Sequence, residues 1–385
     1  MSQLLLTLRN VFGRKSANLS TCSASTLPVI IHRKSNPEPQ HRYEQGGYHP
    51  LSPGEVLHQR YKAIRKLGWG QYSTVWLVRD IQTQNLAALK ILISDLSMRS
   101  KSGCWDELGL LKLIRECNPK SQGYAHLCQL LDSFTHQGPN GNHVCLVMEA
   151  MSLSALDVYR ALPGAMPIPL LKRLSRHILF GLQYLHECEI IHTDIKGDNI
   201  LIAGVPPEEE QDDIQLSTDS LMSTSFKLSD FGAANMMSNR FAELIQPVSL
   251  RSPEVLIGAD WDTKTDIWNL GCIIYEFARG SKLSDPFWDN EGSGLNPPQT
   301  HLAQIVGLCG NFPLELLKRG KKSGQYFDDQ DQYSISLEDL LSRARHSAQD
   351  VRETAHFLSR MLVIDPNERW SAAQMLNHPW LKHVD

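Results

Sequence analysis

Between residues 60 and 90, apolar and β-branched positions recur in short runs separated by turn residues, which predicts a small antiparallel sheet. The first two runs, 61–67 and 74–78, flank the glycine turn of GWGQYSTV, and LAALK at 86–90 closes the third. A helical period follows over 106–115, where Leu110, Leu111 and Ile114 cover one face, and HVCLVME at 143–149 reads as a further buried strand. Beyond about residue 150 the period changes. Leu171, Leu174, Ile178, Leu182 and Leu185 return every three or four positions across 170–188, as in a long helix facing a core, and most later segments are helical. A sheet-rich part followed by a helix-rich part predicts an α+β chain of two lobes, 60–150 and 151–385, with a cleft between them.

Two stretches break this pattern. Residues 205–225, PPEEEQDD followed by serines and threonines, read as a polar acidic loop inserted between the strand signals ILIA and FKLS. A solvated insertion accounts for it, and a docking or regulatory role is the alternative. Residues 1–37 hold no Asp or Glu but carry Arg9, Arg14, Lys15, Arg33 and Lys34 among many serines. Leu4, Leu5, Leu8, Val11 and Phe12 interleave with Arg9 and Arg14, so the stretch is either an unstructured basic tail or an amphipathic helix resembling a mitochondrial presequence. Residues 1–40 are therefore set apart as a tail and 41–59 as a polar, Pro-containing linker.

Composition narrows the class. At 42% hydrophobic and 21% charged residues the chain has the make-up of a globular protein rather than an unstructured one. Its formal charge of -4 gives no support to direct nucleic-acid binding through bulk charge. No apolar run is long enough to predict a transmembrane segment. The eight cysteines form no CxxC pair and no short metal-ligand spacing, so they are expected to be reduced and mostly buried.

Candidate chemistry begins at Gly68 and Gly70, where the lack of side chains would let backbone amides approach phosphates closely. Hairpin geometry would explain the same glycines, and the GK[ST] ending of a P-loop is missing. Lys90 ends an apolar strand and could reach nucleotide phosphates if an acid fixed its ammonium; Glu107, on the predicted helix, is the candidate, with a surface ion pair as the plainer alternative. HTDIKGDN at 192–199 is more informative. Asp194 could accept the proton of an incoming hydroxyl, Lys196 could neutralise a transferring phosphoryl group, and Asn199 could hold magnesium together with Asp230 of SDFG. An HxD turn could merely cap a helix and DFG could be a turn, but the whole set in this order points to phosphoryl transfer from ATP.

These motifs resemble the eukaryotic protein kinases from about residue 60 to 380, and in particular the serine/arginine-rich protein-specific kinases. GGYHP, YKAIRKLGWGQYSTVWLVRD, HTDIKGDNIL, RSPEVLIGADWDTKTDIWNLGC and DPNERWSAAQMLNHPWL carry the closer match. The resemblance implies the two-lobed protein kinase fold, with a small antiparallel-sheet N-lobe and a larger helical C-lobe, and a monomeric serine/threonine kinase using ATP and Mg2+. It implies that Leu67, Gly68, Gly70, Ser73 and Val75 line the nucleotide loop, that Lys90 pairs with Glu107, that Asp194 is the catalytic base beside Lys196, and that Asn199 and Asp230 bind the metal. Met148 would gate the adenine pocket, with Glu149 and Met151 offering backbone groups to the base. Glu254 would pair with Arg369, and Asp266 would anchor the catalytic loop. Basic, Ser-rich protein segments such as the Arg-Ser repeats of splicing factors would be the substrates, in cytoplasm and nucleus, with the mitochondrion as alternative if residues 1–37 act as a presequence.

Departures from the family pattern bear on the peptide side. Pro247 stands where most protein kinases have a threonine that orients the catalytic pair, Val248 where relatives have arginine, and Leu250 where tyrosine is usual. The stretch NPPQTHLAQI at 296–305 lacks the acids that relatives use to dock arginine, leaving Asp285, Asp289 and Glu291, and the acids at 208–213, as candidates. An active kinase with altered peptide specificity and an ATP-binding pseudokinase scaffold therefore remain as alternative readings.

Overall fold

The computed structural model describes residues 29–32, 38–100, 106–205, 213–288, 294–327, 337–344, 346–382 and 384. The targeting expectation for 1–37 lies outside the described residues except for 29–32, as do Asp289, Glu291 and the acids at 208–212.

The first lobe is built on six antiparallel strands in the order Val56–Leu57, Tyr61–Gly70, Ser73–Asp80, Leu86–Leu92, Gly141–Glu149, Leu130–Gly138. Alternation along each strand sorts the side chains onto two faces. Ala87, Leu89 and Ile91 join Trp76, Val78, Cys145 and Val147 in a core on one face. Ala88, Leu146 and Met148 belong to the other, where Leu110, Leu111 and Ile114 of the helix Glu107–Cys117 pack. Lys90 has the parity of Ala88. The strand therefore delivers it to the side of the sheet that faces the Glu107 helix.

Three expectations are corrected here, and one strand goes unanticipated. The runs read as 61–67 and 74–78 extend until they meet, so Gly68 and Gly70 lie inside a strand and the turn is Gln71-Tyr72. The edge strand Leu130–Gly138 escapes the sequence pattern, because only Leu130 of its nine residues is buried and no alternation marks it. The acidic stretch 205–225 holds more than a polar loop: Asp213–Leu216 pairs antiparallel with Val29–His32, and Thr218–Ser223 is a short helix whose cap, the Ser217 hydroxyl, accepts from the Ser220 N–H. Ile31, Leu216 and Leu221 are buried there, a small apolar set that the surrounding acids and serines conceal. The segment read as a linker is packed as well, with Tyr48, His49, Leu51 and Leu57 all buried.

The second lobe is helical. Its centre is the helix Ile168–Glu187, buried along Leu171, Leu174, Ile178, Leu182 and Leu185, against the helix Lys264–Arg279, whose Trp268 is fully enclosed. Short strand pairs sit on top of these helices. Ile200–Ala203 pairs with Ser225–Leu228, Ile200 opposite Leu228, and Ile190–Ile191 pairs with Asn235–Met236. Those two ladders bring the segment after Ile191 and the segment after Leu228 side by side below the sheet.

Candidate active site

Lys90 donates to Glu107 Oε1 at 2.6 Å and to Asp230 Oδ1 at 2.8 Å. The Lys90 and Glu107 side chains are 15% and 3% exposed, so a surface ion pair is excluded. Burial alone would lower the Lys90 pKa, but Glu107 and Asp230 outweigh it and hold the ammonium above the usual lysine range. Lys90 in turn keeps the Asp230 carboxyl well below the usual carboxylate range. Burial pushes Glu107 the other way, against the pull of Lys90. A Cβ at Gly232 would lie 3.1–3.5 Å from Asp230 Oδ1, Lys90 Nζ and Glu107 Oε2, so this glycine leaves room where the three charged groups converge.

Asp194 does not cap the turn Gly197–Asn199 that follows it. Its Oδ2 accepts from Lys196 Nζ at 2.7 Å and from Asn199 Nδ2 at 2.9 Å, and Asn199 Nδ2 also reaches the Asp194 carbonyl at 2.9 Å. The carboxylate is thus aimed without a hydroxyl from position 247. The backbone beneath is held by fully buried Asp266, whose two oxygens accept from the His192 and Thr193 N–H groups at 2.9 Å each and whose Oδ2 lies 3.0 Å from His186 Nε2. Thr193 sits at φ +62°, a strained conformation for a β-branched residue, and its hydroxyl donates to the Ala233 carbonyl at 2.6 Å.

The two loops are stitched together. Ser229 donates through its N–H at 2.9 Å and its hydroxyl at 3.0 Å to the Asn199 carbonyl, and His192 Nε2 lies 3.0 Å from the Ser229 carbonyl. Asn199 and Asp230 are consequently neighbours in space. An ionised carboxylate and an amide whose nitrogen is committed to Asp194, which fixes the position of its oxygen, form an oxygen donor pair that suits magnesium.

At the glycine hairpin, Gly68 faces Val75 beside a register shift, and Gly70 faces Ser73. Neither glycine adopts a positive φ, and a Cβ on either would meet open space. Hairpin geometry therefore does not explain them, and the space above the strand at both positions is open. Ser73 is buried, while Leu67 and Val75 pack partly against the core. Met148 is 9% exposed at the end of its strand. Glu149 donates its N–H to the Gln129 carbonyl at 3.2 Å, and its carboxylate accepts from Lys227 at 2.7 Å, so both its N–H and its side chain are already partnered. Met151 is half-buried just beyond.

In the helical lobe, Arg369 makes a two-pronged bond to Glu254, at 2.8 and 2.9 Å, with both side chains fully buried. The protein kinase domain model matches residues 61–381. The chain belongs to the protein kinase family. The kinase is also 32% identical to the serine/threonine-protein kinase SRPK of Physarum polycephalum over 392 residues, covering 89% of this chain and 90% of that protein. It is 28% identical to protein kinase dsk1 of Schizosaccharomyces pombe, covering 96% and 89%, and 26% identical to SRSF protein kinase 3 of Homo sapiens, covering 96% and 95%. The kinase is thus an SRPK-like serine/threonine kinase, and ATP with Mg2+ is the cofactor pair of its family.

Sequence reasoning misses two features of this kinase. Gln246 bridges the segment before SPE to the helix Lys264–Arg279: its Oε1 accepts from the Ser252 N–H at 2.8 Å and hydroxyl at 3.1 Å, and its Nε2 donates to the Thr265 carbonyl at 3.0 Å. Lys227, opposite Leu201 in a strand pair, is the partner of Glu149. No local pattern announces either, because each contact joins distant parts of the chain.

Proposed function

We propose that this kinase transfers the γ-phosphoryl group of ATP to serine or threonine hydroxyls in basic, Arg/Ser-rich protein segments, splicing factors among them, and works as a single chain. The observation that carries the catalytic reading is the convergence of Lys90, Glu107 and Asp230 with the Asp194, Lys196 and Asn199 loop. Asp194, aimed by Lys196 and Asn199, would accept the hydroxyl proton. Lys196 would neutralise charge on the transferring group, and Lys90, oriented by Glu107, would hold the phosphates. Asp230 and Asn199 would hold Mg2+, which supplies positive charge across the phosphate oxygens.

Support for the substrate class comes from relatives named as SRSF kinases, and the chain's own surface tempers it. Asp285 is exposed, but its Oδ1 accepts from the Phe287 N–H at 3.2 Å. On the acid-free helix Pro297–Cys309, the Gln304 amide is committed to Ser284 and the Asp285 backbone. Each exposed Arg–carboxylate contact is worth about 0.2–1 kcal/mol, so selectivity has to come from several together and weaken with salt. Matched peptides carrying Arg, Ala or Glu around one serine should rank Arg first in kcat/KM at low salt, with the margin shrinking at high salt. A second reading, altered specificity, is favoured by the 41% exposure of Val248 on a segment that also exposes Met237, Phe241 and Leu244. Equal rates for Arg and Ala peptides would establish that reading and defeat the first.

Activity should not depend on phosphate between Asp230 and Glu254. Thr193 puts no buried positive charge before the catalytic aspartate, and Gln246 and Arg251 hold the segment through bonds to Ser252, Thr265 and the Ile245 and Gln246 carbonyls. Phosphatase treatment is expected to leave kcat within about twofold. A loss restored only by phosphorylation at Ser238 or Ser249 would contradict this.

A further inference from the structure

The tip of the glycine hairpin is held from outside the sheet by residues that precede the family's matched region. Tyr48, 1% exposed, donates its hydroxyl to the Gly70 carbonyl at 2.6 Å. The Arg42 guanidinium donates to the next carbonyl, that of Gln71, while lying 5.0 Å over the Tyr48 ring. The Tyr72 carbonyl accepts from the Ile93 N–H at 2.9 Å. Three successive carbonyls of a turn are thereby pinned. The strap itself is anchored: the Tyr48 carbonyl accepts from Asn140 Nδ2 at 2.6 Å, the Tyr48 N–H bonds the Arg42 carbonyl at 2.9 Å, and the Ser94 N–H bonds the Gly47 carbonyl at 3.3 Å. A Cβ on Gly47 would come within 2.1 Å of the Arg42 carbonyl, so the strap depends on that glycine to close on itself.

The C=O and N–H of a trans peptide point in opposite directions. Fixing the Gly70 and Gln71 carbonyls toward the strap turns the Gln71 and Tyr72 N–H groups away from it. We propose that Tyr48 and Arg42 are positioning residues for ATP, which preset the hairpin tip so that its amides meet the nucleotide phosphates without first being ordered. This rests on the reading of GWGQYSTV as the phosphate loop. Preorganised donors favour binding because the ordering cost is already met in the free protein.

The consequence is a nucleotide effect separable from chemistry and from peptide binding. In the full-length chain, Tyr48→Phe combined with Arg42→Gln should raise the KM for ATP and the Kd for ADP by about three- to tenfold, the range for losing one or two hydrogen bonds. The kcat at saturating ATP and the KM for peptide should stay near wild type, with the melting temperature lowered only by the loss of these two hydrogen bonds. Arg42→Gln alone, at a half-buried position, should give a smaller rise of the same kind and carries the test if the double variant does not fold. An unchanged KM for ATP, or a fall in melting temperature and kcat without a nucleotide effect, would overturn the proposal and leave the strap a packing element. Failure of the site reading itself would look different: the wild-type chain would then show no ATP turnover, and the strap's role would fall with it.

Discussion

Asp230→Asn is expected to lower phosphoryl transfer by at least about 100-fold while leaving the fold intact, because phosphoryl transfer is catalysed mainly by positioning and by electrostatic stabilisation of the phosphates. Asparagine is the informative substitution. Asp230 sits at φ +63°, a left-handed conformation that Asn tolerates better than most residues, so the backbone has no reason to move. Lys90 keeps its 2.6 Å bond to Glu107, so the variant removes a charge from the metal side without releasing the lysine. Lys90 already holds the Asp230 carboxyl far below the usual range, so the wild-type charge is present throughout neutral and mildly acidic pH and is lost only in strong acid. The deficit of the variant should therefore persist across that whole window. Rates are to be compared at saturating ATP and magnesium, with the melting temperature as the control for folding. Wild-type-like rates would remove Asp230 from the metal site.

The residues proposed to carry chemistry are legible in sequence because their spacing is set by local geometry. Asp194, Lys196 and Asn199 fall within six positions, and one short loop brings Lys196 Nζ and Asn199 Nδ2 onto a single carboxylate oxygen. Lys90 and Glu107 are legible through periodicity: strand parity and helix phase each put one of them on the inward face. The glycines are legible as residues but misleading as a turn, since only the backbone geometry distinguishes a strand glycine with open space above it from a turn glycine with a positive φ. What stays hidden depends on pairing between distant segments whose apolar residues are few and set among polar ones. Val29–His32 with Asp213–Leu216 is one such case, and the Tyr48 hydroxyl on Gly70 is another. A polar composition suggests a tail, a loop and a linker, because exposure is what composition reports and partnership is not.

Arg369→Met is expected to destabilise the helical lobe by about 3–5 kcal/mol, the cost of leaving a buried charge without its partner. Glu254 would keep both oxygens in a site with no solvent access, where the arginine now supplies bonds of 2.8 and 2.9 Å. Replacing both members of such a pair by apolar groups is often tolerated, but here it should not restore wild-type stability. Arg369 also donates to the Val363 carbonyl at 2.9 Å, the Lys264 carbonyl at 2.8 Å and the Ile364 carbonyl at 3.2 Å, and it lies 5.1 Å from the Trp268 ring. Those carbonyls would lose their donor in the double variant as well, each at roughly 1–3 kcal/mol if it stays buried and unpaired. Arg369→Lys keeps the charge but not the fork, so it should fall between wild type and Arg369→Met. Urea denaturation of the wild type, both single variants at 369 and the Glu254→Leu/Arg369→Met double variant tests the set. A double variant as stable as wild type would show that the carbonyl bonds contribute little, and a loss below about 1 kcal/mol in Arg369→Met would show that the lobe does not depend on this pair.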